Sequence, residues 1–290
     1  PPLDMHIIEK VDVWIIIEAP ENTRAMTNID PERQQMRNSA YAEWMDIYMK
    51  RSASGELRWV MTNYPCQALA QDAEMSLGEY EDFVYAATFA DQGDAVKRWQ
   101  EIFEEQEKLI KWLAGKKTVT IRGPHVDLSM SIEGRSFVNS SGDQNMPSGE
   151  IFTSPVEDSV IGWVEFSYPA IYQGVAVEGV RLEFEQGKII KAGADKGEAF
   201  LLKMLDTDEG ARILGELGIG TNYGIQRFTK NILYDEKIGG TFHLAVGSGF
   251  PEAGGGNESS IHWDLISDAR KATTMWADDE IFYKDGKFTL

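Results

Sequence analysis

Two polar side chains interrupt an apolar, β-branched run near the C-terminus. The stretch NESSIHWDLISDA, residues 257–269, places His262 and Asp264 two positions apart. In an extended strand, side chains at i and i+2 leave the same face, so the imidazole and the carboxylate point one way while Trp263 and Leu265 point the other. This pairing raises the question of a metal site.

A second histidine occurs in a similar setting. His243 lies in GGTFHLAVGSG, another apolar strand candidate preceded by glycines, which allow backbones to approach closely. A single histidine in such a strand is more often a core residue. Two of them on neighbouring strand candidates, with Asp264 beside one, favour metal binding.

A two-metal hydrolytic site needs about five or six nitrogen and oxygen ligands, several of them carboxylates between the cations. Glu150 in NMPSGEIFTSP enters a predicted strand after a proline and a glycine. Glu216 in ARILGELGIGTN is predicted at a helix end, and Glu236 in ILYDEKIGG follows an apolar run. Each alone is more typical of a solvated surface glutamate, and spacing does not decide whether they converge.

Other motifs are weaker or missing. His125 and Asp127 in GPHVDLSM repeat the His-x-Asp spacing, but their flanks predict a strand entry that faces solvent. The sequence has no Walker loop, no dinucleotide-binding glycine motif between a strand and a helix, and no G-x-S-x-G elbow.

Composition narrows the function classes. The chain has 290 residues, with 28 Lys and Arg against 47 Asp and Glu and a formal charge of -19, which disfavours nucleic acid and anionic membranes as partners. The acidic excess fits either solubility or carboxylates gathered around a metal or a cationic substrate end. The single cysteine, Cys66, excludes internal disulfides and Cys-rich zinc modules and predicts a cytoplasmic location. The apolar run VWIIIEAP is too short to span a bilayer.

The elements that must position these residues change along the chain. Strand candidates VDVWIIIEA and LRWVMTNYP flank a helix that opens at Asp30 and Pro31, a β-α-β order that predicts a parallel sheet. The clearest helix runs from Asp94 to Gly115, with a capping aspartate, a closing glycine and an apolar stripe. We predict that it links two domains.

Short strands dominate the rest of the chain, interrupted by the helical pieces KGEAFLLKML and DEGARILGELG. The predicted fold class is therefore α/β plus mainly-β. An N-terminal α/β domain spans residues 1–115, with the linking helix 94–115, and a mixed β-rich metal-binding domain spans 116–290.

The ordered motifs of the second half resemble the M29 family of metallo-aminopeptidases, the group that includes the thermophilic aminopeptidase T proteins. The matching phrases are MPSGEIFTSPVEDS, VEGVRLEFEQGKII, LGELGIGTN, NILYDEKIGGTFHLAVGSGFPEAGGGNESSIHWD and DDEIFYKDGKF. The resemblance implies two divalent ions, zinc or cobalt with magnesium or manganese as alternatives, that remove N-terminal residues from peptides in a homodimeric enzyme. The residues that match the family's metal ligands are Glu150, Glu216, Glu236, His243, His262 and Asp264.

We expect Glu150 or Glu216 to move the catalytic proton. Two departures from the family pattern stand out. Phe250 occupies a position where the family commonly has a tyrosine that stabilises the reacting oxyanion, so a catalytically impaired metal-binding homologue is an alternative function. Residues 1–115 match only the later portion of the family's N-terminal region, so we expect the chain to be part of a longer protein. The simplest alternative is an acidic α/β protein whose buried polar residues are structural.

Overall fold

The computed structural model describes residues 2–25, 29 and 31–290. Within these ranges, none of the helices combines the length and the hydropathy that a bilayer-spanning helix needs. Two 3₁₀ turns, Glu209–Arg212 and Pro251–Ala253, accompany the α-helices. The α-helices are α1 Pro2–Lys10, α2 Pro31–Ala53, α3 Gln67–Asp72, α4 Leu77–Ala87, α5 Ala95–Leu113, α6 Glu198–Leu205 and α7 Ile232–Asp235.

Most strands lie beyond α5, as the change in composition along the chain predicts. The strands are β1 Val13–Glu18, β2 Arg58–Asn63, β3 Thr118–Gly123, β4 Val126–Ser131, β5 Val138–Ser140, β6 Asn145–Met146, β7 Glu150–Thr153, β8 Ile161–Glu165, β9 Ala170–Tyr172, β10 Val175–Val177, β11 Arg181–Glu185, β12 Lys188–Gly193, β13 Leu214–Gly220, β14 Thr241–Gly247, β15 His262–Asp268, β16 Thr274–Ala277, β17 Glu280–Lys284 and β18 Lys287–Phe288. The molecule is thus a mixed α/β protein with several sheets.

The first part of the chain contains the predicted β-α-β unit. Strands β1 and β2 pair in parallel, from Val13 with Arg58 to Glu18 with Asn63, and α2 connects them. This helix begins at Pro31, as predicted, while Asp30 lies outside the described residues. Strand β6 extends the same sheet in parallel.

Helix α5 confirms the prediction for residues 94–115. The Asp94 side chain caps its first turn by accepting a hydrogen bond of 3.0 Å from the Lys97 amide. Gly115 follows its end with a positive φ of 82°, a conformation that favours glycine. The helix is joined to the second half of the chain by Gln106, whose buried amide donates to Thr221 Oγ1 at 2.7 Å.

Two large sheets enclose the main apolar core. One has eight strands in the order β12-β11-β8-β4-β3-β16-β17-β18, and the other has five in the order β15-β14-β13-β7-β5. Both contribute side chains to one buried cluster; those of the five-stranded sheet include Ile151, Leu217, Ile219, Phe242, Leu244, Val246, Trp263 and Leu265. Each fully buried side chain of this kind contributes about 1.5–3 kcal/mol. Because strand side chains alternate, Glu150, Glu216, His243, His262 and Asp264 lie on the other face of this sheet.

The predicted helix DEGARILGELG is wrong beyond its first residues. A 3₁₀ turn covers Glu209–Arg212, and the chain then enters the fully buried strand β13, which carries Glu216. Leu214 and Leu217 suggest a helical repeat, but glycines within the segment weaken a helix by about 0.5–1 kcal/mol each. Pairing with β14 on one side and β7 on the other favours the strand.

Core contacts cross the predicted boundary at residue 115. Helices α3 and α4 share a buried cluster with Ile225, Leu233, Tyr234 and Ile238 from the second half. These residues surround the segment that carries Glu236, so the first part of the chain helps to hold that glutamate in place. The division into domains at residue 115 stays a prediction.

Candidate metal centre

The polar face of the five-stranded sheet is defined by strand register. Glu216 on β13 lies opposite Ala245 on β14, which in turn lies opposite Asp264 on β15. Two residues before Ala245 on β14, His243 lies opposite Gly218 on β13. Directly opposed residues share a face, so the two carboxylates and the imidazole project to the same side, with alanine and glycine leaving space between them.

The remaining side chains reach this face from three places. His262 opens β15 opposite Gly247. Glu150 opens β7 opposite Gly220. Glu236 follows directly after the short helix α7, whose first turn is capped by the side chain of Asn231. The prediction that Glu150 begins a strand is confirmed.

Glu216 lies between the two histidines. Its Oε1 is 3.4 Å from His243 Nε2 and its Oε2 is 3.2 Å from His262 Nε2. Asp264 Oδ1 lies 3.5 Å from His262 Nε2, and Glu150 Oε2 lies 3.3 Å from His243 Nε2. The structure therefore brings residues from four separate segments into one cluster.

Three sets of possible ligand atoms occur in this cluster, and within each set all atoms lie within 4.8 Å of one another. Glu216, His243 and Asp264 each belong to two of these sets, so the sets form one continuous cluster. The sets are Glu150, Glu216 and His243; Glu216, His262 and Asp264; and Glu236, His243 and Asp264.

Two buried oxygens indicate that the cluster suits a cation. Glu150 Oε2 and Asp264 Oδ1 are buried, and although each has a histidine Nε2 nearby, at 3.3 and 3.5 Å, neither accepts a hydrogen bond of good geometry from any residue that the structure describes. A buried carboxylate oxygen without a hydrogen bond is costly, whereas a divalent cation would satisfy it. The mixture of imidazole and carboxylate ligands suits zinc, cobalt or manganese.

A hydrogen bond from the ring nitrogen that does not face the cluster fixes the orientation of His262. Its Nδ1 lies 2.9 Å from the Ser248 carbonyl. A carbonyl oxygen can only accept, so Nδ1 carries a proton, and Nε2 is the ring nitrogen that faces Glu216 and Asp264. Metal-binding histidines commonly have such a partner on their second nitrogen.

The cluster carries excess negative charge. Burial by itself lowers the pKa of the His243 imidazole, but the hydrogen bond to Glu216 and the charges of Glu216 and Glu150 outweigh burial and raise the pKa to about 10. For Glu236, burial raises the pKa to about 8, although the positive charge of Lys237 acts in the opposite direction. The upward shift of His243 reflects the surrounding carboxylates, whereas that of Glu236 reflects mainly its burial.

Lys237 is a member of the site that sequence reasoning missed. Its ammonium group contacts the Glu236 carboxylate and lies 3.5 Å from Glu150 Oε1. Burial lowers the pKa of this lysine, but the charges of Glu150 and Glu236 outweigh it, so the net shift is upward. The available signal was a lysine in the mainly apolar segment ILYDEKIGG, directly after a candidate ligand.

Phe250 lies at the edge of the cluster. Its ring meets the His262 ring edge to face at 5.0 Å and the Phe152 ring at 4.8 Å, measured between centroids. Its backbone amide donates to Ser154 Oγ at 2.9 Å, which fixes the chain at this point. The Phe250 ring therefore lies beside His262, one of the candidate ligands.

The second His-x-Asp motif lies elsewhere, facing solvent as predicted. The side chain of His125 is 64% exposed and lies 3.5 Å from Glu165. The side chain of Asp127 is 60% exposed and pairs with Arg122 at 3.3 Å. Neither belongs to a ligand set.

Gly218 creates the space that the His243 ring occupies. A Cβ atom at this position would lie 2.0 Å from His243 Nε2. We expect Gly218→Ala to lower the free energy of unfolding by about 1–3 kcal/mol through overpacking, and to weaken metal binding because the imidazole must move. Urea denaturation and calorimetric metal titration measure the two effects.

Gly78→Ala is the matched control for Gly218→Ala. Gly78 lies near the start of α4, where an added Cβ would have no neighbour within 4 Å. We expect that variant to gain about 0.4–1 kcal/mol of stability and to bind metal normally. Normal metal affinity in Gly218→Ala would contradict the close fit between Gly218 and His243.

The class of protein follows from this geometry. Imidazoles and carboxylates that cluster within reach of one another on one sheet face are ligands that a divalent metal ion can use. The chain belongs to the family described as thermophilic metalloprotease (M29), whose model matches residues 1–288. The predicted family resemblance is confirmed, and the chain is a peptide hydrolase of the metallopeptidase class.

Relatives and a solved structure agree with this assignment. The chain is 25% identical to aminopeptidase 2 of Geobacillus stearothermophilus over 90% of its own length and 71% of that protein. It is 29% identical to aminopeptidase T of Thermus aquaticus over 84% of its length and 67% of that protein. The structure of wild-type AmpT from Thermus thermophilus superposes with a TM-score of 0.85 at 22% identity, covering 100% of this chain and 79% of that one, and supports the shared fold.

Proposed function

We propose that the chain is an aminopeptidase that hydrolyses the first peptide bond of peptides at a dinuclear metal centre. The observation that carries the proposal is Glu216, whose two carboxylate oxygens face the two histidines of adjacent ligand sets. The names of the relatives, each an aminopeptidase, support the substrate class.

The proposed ligands are Glu150, Glu216, Glu236, His243, His262 and Asp264. Zinc or cobalt is the proposed metal. Magnesium and manganese are alternatives, because carboxylate oxygens also coordinate these ions. When bound, two divalent cations supply Lewis acidity for the scissile carbonyl and make water nucleophilic near neutral pH.

The residues of the chain would divide the remaining tasks. A carboxylate oxygen of Glu216 or Glu150 takes the proton of the attacking water and passes it to the leaving amine. The acidic side chains favour the free, positively charged α-amino group of the substrate, which restricts cleavage to the N-terminal residue. The fixed His262 ring and the buried strands keep these groups in position before the substrate arrives.

Three further expectations complete the proposal. We propose that the enzyme works as a homodimer, as the family resemblance implies. We propose a cytoplasmic location, since Cys66 is the only cysteine in the sequence. Because a formal charge of -19 would repel nucleic acids, the proposed partners are peptides.

An assay with matched substrates tests the proposal. Metal-loaded protein should release nitroaniline from aminoacyl-p-nitroanilides and the first residue from short peptides, but it should not cleave the same substrates after N-acetylation. Dialysis against a chelator should remove the activity, and added zinc or cobalt should restore it. Turnover unaffected by chelation, or equal turnover of acetylated substrates, would contradict the proposal.

Phe250 favours a second candidate function, a metal-binding homologue with little or no catalytic activity. A phenyl ring cannot donate the hydrogen bond that a tyrosine hydroxyl supplies to an oxyanion. This alternative predicts stoichiometric metal without turnover, and no activity in Phe250→Tyr.

A further inference from the structure

A lysine side chain is fully buried beside the candidate ligands. Lys237 is 0% exposed, and its ammonium group has two acidic partners, Glu236 and Glu150. A buried ammonium is costly unless it is paired with opposite charge. Both partners belong to the proposed ligand set, so the lysine and a metal ion compete for the same carboxylates.

Backbone contacts fix this lysine in place. The Lys237 amide donates to the Tyr234 carbonyl at 3.1 Å, and its carbonyl accepts from the Asn222 amide at 3.0 Å. Gly220 lies directly against it, since a Cβ there would be 3.0 Å from the Lys237 carbonyl carbon. Gly220 is also the register partner of Glu150. The approach of the ammonium to Glu150 is therefore a consequence of the fold.

Lys237 contacts members of two of the three ligand sets. The set of Glu216, His262 and Asp264 contains neither of its partners. The other two sets each contain one, Glu150 or Glu236. Two divalent cations would by themselves neutralise the four carboxylates of the cluster, so the ammonium adds further positive charge. That charge lies in direct contact with Glu150 and Glu236 and interacts less strongly with Asp264.

We propose that Lys237 is a resident cation that makes the two metal positions unequal. One ion is held tightly by Glu216, His262 and Asp264, and the second is held weakly and exchanges readily beside Glu150 and Glu236. The reason is electrostatic, because the ammonium repels the second ion and occupies part of its ligand sphere. This inference rests on the proposed function, since it assumes that the cluster binds metal.

Metal titration of the unmodified protein is the first test. Calorimetry and equilibrium dialysis with zinc or cobalt ions, followed by elemental analysis, should reveal two classes of site whose Kd values differ by at least about tenfold, or 1.4 kcal/mol. A single class of two equal sites would overturn the inference, and this measurement does not depend on any variant folding. A protein that binds no divalent ion would overturn the proposed function as well.

Lys237→Met is the second test, because methionine fills similar space without charge. The weaker site should bind at least about tenfold more tightly, while the tighter site changes by less than about threefold. Lys237→Gln should act in the same direction if the methionine variant is unstable. Lys196→Met is the matched control, since Lys196 pairs with Glu178 at 2.6 Å and its side chain is 69% exposed.

The outcomes of this second test separate the two proposals. Unchanged affinities in Lys237→Met, or weakening of both sites, would overturn the role of Lys237 while leaving a metal-dependent peptidase intact. An equal change in Lys196→Met would also overturn it, because the effect would then come from overall charge.

Discussion

Glu216→Gln should lower kcat/KM for aminoacyl-p-nitroanilides by at least about 1,000-fold, or about 4 kcal/mol of transition-state stabilisation. The carboxylate of Glu216 reaches toward both histidines and is 4% exposed. An amide has nearly the same shape, but it carries no negative charge, so it would neither take up the proton nor hold the proposed divalent cations as a carboxylate does. Steady-state kinetics with saturating zinc or cobalt gives the rate, and elemental analysis gives the bound metal.

Glu183→Gln is the control for this variant. Glu183 lies on β11, on the eight-stranded sheet, and is exposed. We expect its kinetics to match those of the unmodified enzyme. Activity within about tenfold of normal in Glu216→Gln would show that another group, with Glu150 as the first candidate, performs the proton transfer.

Phe250→Tyr should raise kcat by about 10- to 100-fold with little change in KM, because one oxyanion donor is worth about 100- to 1,000-fold in kcat. The Phe250 ring packs against the ring of His262, a proposed ligand, so the substitution adds a hydroxyl to a side chain that lies beside the site. A donor that acts only on the transition state raises kcat without tightening substrate binding. Stopped or continuous nitroanilide assays measure both constants.

Phe250→Leu is the control that distinguishes the effect of adding a hydroxyl from the effect of altering the ring. That variant keeps an apolar side chain at the same place and should leave kcat within a few-fold of normal. If Phe250→Tyr shows no gain and the unmodified protein binds metal without turnover, the second candidate function, a metal-binding homologue without activity, is the better description.

Local patterns predicted several elements correctly, because they depend on neighbours in sequence. Helix α5 follows from its capping aspartate, closing glycine and apolar stripe. The parallel pairing of β1 and β2 follows from the strand-helix-strand order. The adjacent placement of His243 and His262 on β14 and β15 follows from two apolar runs with polar insertions.

Glu216 shows where local reasoning fails. Its segment has helix-like spacing of leucines, yet it forms a strand because β7 and β14 pair with both of its edges. Those partners lie far away in sequence, and their hydrogen bonds outweigh a weak local preference. The glycines of LGELGIG were the available signal, since neighbouring backbone at Gly215 and Gly220, and the His243 ring at Gly218, approach too closely for a larger residue.

By itself, the sequence predicted a set of candidate metal ligands, placed His262 and Asp264 on one strand face, and identified the family to which the chain belongs. Only the tertiary structure decided that Glu150 and Glu236 meet the other ligands, that Gly218 makes room for His243, and that Lys237 shares the carboxylates. Residue type and alternation are properties of a short segment. Convergence of distant segments depends on sheet register and core packing, which arise only when the whole chain has folded.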